Sequence, residues 1–204
     1  GNLSQTVRSF TIAVAQPQVL PPPAVPPAPT ATPAPRPEFR RSAVARTVRG
    51  RVLVRRPGAR AFAELNGSQS IPMGSTVDAK RGRVRITAEP RPGRPARRAE
   101  FRGGVFRLTQ TRTLVDLRLV EPLACPARRG GNATRRLWGA GKGAFRITGA
   151  HSAATARGAT WLVQDTCATT RTRVTQGVVA VRDARLKKTI LVRKGKQYVA
   201  RSRR

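Results

Sequence analysis

The sequence predicts an all-β domain of short strands, a β sandwich or roll, behind a disordered proline-rich N-terminal linker. Three observations predict it. Apolar and polar residues alternate at Phe145-Arg146-Ile147-Thr148 and around Trp161-Leu162-Val163, the period of half-buried strands. Gly139, Gly141, Gly143, Gly149 and Gly158 break up the same stretch, and each interior glycine costs a helix about 1 kcal/mol relative to alanine. Residues 16–37, QPQVLPPPAVPPAPTATPAPRP, have no capacity for a core and favour extended polyproline II.

Taken in order, residues 1–15 alternate Val7, Ser9 and Thr11 against Arg8, Phe10 and Ile12, as a closing strand does. A single strand cannot bury its apolar face alone. Residues 16–43 are read as the linker, a spacer whose proline-rich part, 16–37, spans about 65 Å when extended at ~3.1 Å per residue. The domain is expected over residues 44–200, with 201–204 a basic tail. Val48, Gly50, Val52 and Val54 are placed on one face, and Arg49, Arg51 and Arg55 on the other with Leu53. Turns are expected at Pro57-Gly58 and Pro72-Met73-Gly74, a tight hairpin at Asn66-Gly67, and a strand at Arg83-Val84-Arg85-Ile86.

Residues 88–98 read as a basic loop, Phe101 to Val120 as one or two strands, and 121–136 as a second loop. Val178-Val179-Ala180-Val181, a basic turn at Arg185 to Lys188 and Thr189 to Arg193 form a hairpin, followed by a glycine turn at Gly195 and a strand through Tyr198-Val199. Gly50 to Val54 leading to Ile71-Pro72-Met73-Gly74 echoes Gly177 to Val181 leading to Val192-Arg193-Lys194-Gly195, consistent with opening and closing strands that pack together.

The segments Phe145-Arg146-Ile147-Thr148, Ala154-Thr155-Ala156-Arg157-Gly158-Ala159-Thr160-Trp161 and Thr175-Gln176-Gly177-Val178-Val179-Ala180-Val181, with Gly195 beyond, resemble the FecR-type extracytoplasmic β domain. The likeness is to its arginine-rich version at the C-termini of secreted or surface proteins of high-GC actinobacteria. The motif positions are Phe145, Arg157, Gly158, Trp161, Gly177, Val179 and Gly195. The family has threonine directly after the Arg-Gly pair, where this chain has Ala159 and then Thr160. The resemblance implies a secreted or surface-displayed sensory or interaction module. Residues 1–15 resemble the last strand of a bacterial Ig-like domain, which implies upstream Ig-like domains of the same polypeptide as neighbours.

Forty-one basic residues face nine acidic ones, a formal net charge of +32. Such a surface attracts polyanions: anionic wall polymers, acidic proteins or extracellular nucleic acid. The arginine excess over lysine fits codon bias in a GC-rich genome and also suits bidentate phosphate or carboxylate binding. Strand periodicity gathers arginines on the wet face, so polyanion contact is expected at Arg49, Arg51, Arg83, Arg85, Arg128, Arg129, Arg135, Arg136, Lys187, Lys188, Lys194 and Lys196. With no helix to enter a groove, charge attraction is expected over base readout. The competing reading is a nucleic-acid-binding protein whose basic surface is its function.

Cys125 and Cys167 have neither CxxC nor zinc spacing and are read as a disulfide before two buried thiols. No apolar run reaches the ~20 residues that span a bilayer, and any export signal would have to lie upstream of Gly1. Gly139-Ala140-Gly141-Lys142-Gly143 lacks the spacing and hydroxyl of a phosphate-binding loop and reads as a strand-connecting turn. His151 stands alone, and Asp78, Asp116, Asp165 and Asp183 are scattered, so no catalytic residue, metal site or cofactor is proposed. Trp138 and Trp161 are read as core anchors before a binding platform.

Overall fold

The computed structural model describes Gly1 and residues 34–125 and 133–202. The expectations for residues 2–33, for Arg128 and Arg129, and for residues 203–204 lie outside the described residues. The described residues of 34–125 and 133–202 are all-β, with no helix among them. Among the described residues no helix is therefore long and apolar enough to cross a membrane.

In chain order the first strands are β1 (Ser42–Gly50), β2 (Leu53–Arg55), β3 (Ala63–Glu64), β4 (Ser68–Pro72) and β5 (Thr76–Asp78). β6 (Gly82–Ala88), β7 (Arg97–Arg102), β8 (Val105–Gln110), β9 (Val115–Leu119) and β10 (Arg135–Gly141) follow. The last are β11 (Phe145–Thr148), β12 (Ser152–Asp165), β13 (Thr169–Asp183), β14 (Thr189–Arg193) and β15 (Gln197–Arg201).

The long hairpin β12–β13 is the spine. One edge of β12 carries β11 beside its first half and β10 beside its second. Two arms leave from there: β10 continues through β7, β6, β1 and β4, and β11 through β9, β8, β5, β2 and β3. The far edge of β13 takes β15 and β14 end to end. Among the described strands only β9 and β11 pair in parallel.

The chain crosses repeatedly between the arms, as from β7 to β8, so the apolar faces of both arms contribute to one core. Phe101 of the first arm meets Phe106 and Phe145 of the second, each at 5.8 Å between tilted rings. Trp161, Leu137, Ile147 and Val163 are fully buried around the spine. Alternation drives this: Val84, Ile86 and Ala88 of β6 are buried while Arg83 is exposed.

Several expectations change. Val48 is 40% exposed because a bulge between Thr47 and Arg49 turns it outward. Asn66-Gly67 is a bend with Gly67 at φ +66°, but β3 and β4 on either side pair with β2 and β1, so no hairpin closes there. Phe101 to Val120 spans parts of three strands, and the first strand begins at Ser42, two residues before the expected boundary. Opening and closing strands do not pair: β1 lies between β4 and β6, and β15 pairs only with β13.

Candidate functional site

All nine carboxylates lie within the described residues, and each is engaged. Asp165, fully buried, accepts from Arg135 Nε at 2.9 Å, Ala150 N at 3.0 Å and Thr170 Oγ1 at 2.5 Å. Asp116 takes Arg146 Nε at 3.0 Å and the Thr148 hydroxyl. Glu100 takes Arg85 Nη2 at 2.7 Å and Arg83 Nη1 at 3.5 Å. Asp183 accepts from the Arg185 and Leu186 amides and the Tyr198 hydroxyl, each at 2.8 Å. Glu89 accepts from the Gly93 and Phe39 amides. Glu38 pairs with Arg41, Glu64 with Arg51, and Asp78 and Glu121 share Lys80. Most of the arginine surface is left without an internal partner.

Part of that surplus gathers at one place. Ladder register sets Arg49 of β1 opposite Arg83 of β6, Arg83 opposite Arg102 of β7, and Arg102 opposite Trp138 of β10. Three guanidinium side chains therefore stand side by side on the outer face of the first arm. Like charges directly opposite on a ladder destabilise a sheet. They line an open cleft of about 440 Å³ with Lys80, Arg81, Arg136 and Trp138. Arg49, Arg81, Arg102 and Arg136 have no carboxylate partner among the described residues.

Backbone geometry makes this crowding possible. Gly50 has φ +69°, and a Cβ there would lie 2.3 Å from the Arg81 carbonyl oxygen. Glycine lets the strand end close against the β5–β6 connection, where the Arg51 amide donates to that carbonyl at 3.2 Å. Arg49 and Arg81 are thereby brought to the same mouth. Trp138 is half-buried, and the Arg102 guanidinium lies 5.1 Å from its ring centroid. Trp161 alone of the two tryptophans is a core anchor; Trp138 lines the cleft.

The sequence-predicted cations divide. Arg49, Arg83 and Arg136 meet in the cleft, and Arg51 lies beside it in a hollow shared with Lys80 and Arg81. Arg85 and Arg135 are held by Glu100 and Asp165 and serve the fold. Lys187 and Lys188 lie in the β13–β14 turn, and Lys194 and Lys196 in the turn between β14 and β15, away from the cleft. Arg81, Arg102 and Lys80 are cleft residues that sequence reasoning missed. A second basic hollow, lined by Arg91, Arg94, Arg97 and Lys142, is built largely from the connection before β7 and lacks a comparable ladder row.

Phe145, Trp161 and Val179 are buried in the core. Arg157 and Gly158 sit at a bulge of the spine hairpin, where a Cβ on Gly177 would fall 1.8 Å from the Gly158 carbonyl oxygen. Gly195, at φ +77°, makes the last turn. Gly139 and Gly141 belong to β10, and residues 142–144 form the connection to β11. His151 lines a hollow with Ala150, Ala184, Arg185 and Arg201, a lining without a carboxylate. Cys125 and Cys167 form a disulfide with Cα atoms 5.6 Å apart, tying the connection before β10 to the β12–β13 turn.

The chain is thus an all-β protein with a cationic cleft on one arm of its sheet. No family model, curated protein or solved structure matches it.

Proposed function

We propose that this chain is a non-enzymatic extracytoplasmic interaction module that binds polyanions through the cleft of Arg49, Arg83, Arg102 and Trp138. The row of in-register arginines carries the reading. Among the described residues only Arg83 of the row has a carboxylate neighbour, Glu100 at 3.5 Å, so the like charges aligned on this sheet are under-compensated and destabilise it until an anion arrives. The ladder also holds the row on rigid strands, which lowers the entropy lost on binding. The disulfide supports an oxidising compartment, hence a secreted or surface location. The FecR-type resemblance supports an interaction role, with the proline-rich segment spacing the domain from Ig-like neighbours. Suitable partners are anionic wall polymers, acidic proteins and extracellular nucleic acid.

The test is binding of the chain to DNA, an anionic wall polymer and a neutral glycan across a salt titration. Salt-labile binding to both polyanions, with none to the glycan, supports the proposal. Tight binding to DNA alone at physiological salt would replace it with the nucleic-acid reading.

A further inference from the structure

We infer that the cleft's preferred ligand is phosphate-dense, a linear polyphosphate lying across β1, β6 and β7 and recognised without ring stacking. This rests on the polyanion reading of the same cleft. Four arginines without a carboxylate, Arg49, Arg81, Arg102 and Arg136, surround about 440 Å³. The cleft is open, so a polymer can run across it while only a few of its repeats meet these guanidiniums. A nucleotide chain brings one charge with each ring-bearing repeat and hyaluronate one with every two rings, so fewer charges meet the guanidiniums of the cleft per length of chain. A polyphosphate brings a charge at nearly every phosphorus. Its several oxygens also accept the forked donors of guanidiniums on neighbouring strands, which stand about 4.8 Å apart.

Trp138 argues in the same direction. Its ring lies against Arg102 in the row, and its ladder neighbour on the other side is Leu162. The indole is therefore placed to hold the Arg102 guanidinium, and we assign Trp138 as a positioning residue.

The experiment is calorimetric titration of the full chain at 0.15 M salt with linear polyphosphate, oligo-dT and hyaluronate, matched in total negative charge. Polyphosphate is expected to bind about tenfold or more tighter than either ring-bearing polymer, a gap of ~1.4 kcal/mol. Arg49→Gln/Arg102→Gln/Arg136→Gln should remove most of that binding, while Lys187→Gln/Lys188→Gln should leave it nearly unchanged. Trp138→Ala should weaken polyphosphate binding severalfold and Trp138→Phe should restore it; thermal melts verify that each variant is folded. Equal affinity for the three polymers, all weakened by the triple substitution, overturns phosphate preference and leaves the polyanion cleft standing. No binding, or a triple variant that binds like wild type, overturns both.

Discussion

Substituting Arg49 by Gln should stabilise the fold while weakening its binding to polyanions. Arg49 is exposed, has no carboxylate partner, and faces Arg83 across the ladder. Taking the two guanidiniums as about 6 Å apart in water, Coulomb repulsion is about 0.7 kcal/mol before screening. A Debye length of ~30 Å at 0.01 M salt leaves about 0.6 kcal/mol, and ~3 Å at 1 M leaves about 0.1 kcal/mol. For a domain of this size that corresponds to a Tm higher by roughly 1–2 °C at low salt and unchanged at high salt. Differential scanning calorimetry of wild type and Arg49→Gln at both salt concentrations measures it. A variant that melts lower, or a difference that ignores salt, would refute the idea that this row is electrostatically strained. Arg102 is a less clean choice, because its removal also loses the contact with Trp138.

Asp165→Ala should cost about 3–5 kcal/mol in chemical denaturation, because it leaves the largely buried Arg135 uncompensated and strips an acceptor from Thr170 and the Ala150 amide. Replacing both cysteines by serine should cost up to about 4 kcal/mol, the chain-entropy term for a separation of 42 residues, read from the shift in denaturation midpoint. Burial pushes the Asp183 carboxyl up, but hydrogen bonds from the Leu186 amide, the Tyr198 hydroxyl and the Arg185 amide outweigh it and hold the pKa below 3.8. Its contribution is present above the unfolded carboxylate pKa and lost as pH falls through the lower folded value, so Asp183→Asn should flatten the acid limb of a pH–stability profile. Burial, with the bond to Asp183, raises the Tyr198 pKa; that contribution is present below about pH 10 and lost as pH rises through the folded value, so Tyr198→Phe should flatten the alkaline limb.

Local signals made much of the fold legible. Alternation at Arg83 to Ile86 and at Phe145 to Thr148 marks β6 and β11, and the turns at Arg185–Lys188 and Gly195 separate β13, β14 and β15. Pairing was not legible, since the chain crosses between arms and β3 and β4 find partners away from each other. The same limit applies to the cleft. Arg49, Arg83, Arg102 and Arg136 come from four strands, and only the ladder registers align the first three. One signal was available: Arg49-Gly50, Arg81-Gly82 and Arg102-Gly103 are arginines followed by glycine at strand boundaries, and at Gly50 and Gly82 backbones approach closely. Arg135 and Arg136 look alike in sequence, yet one is held by the buried Asp165 and the other lines the cleft, because adjacent strand residues point to opposite faces.

The most direct test of the central claim is the salt dependence of single-stranded DNA binding by wild type and Arg49→Gln/Arg102→Gln/Arg136→Gln. If these arginines contact phosphates, the slope of log affinity against log salt should become shallower by about 2, at ~0.7 for each neutralised phosphate. An unchanged slope would place polyanion binding elsewhere on the surface and contradict the account.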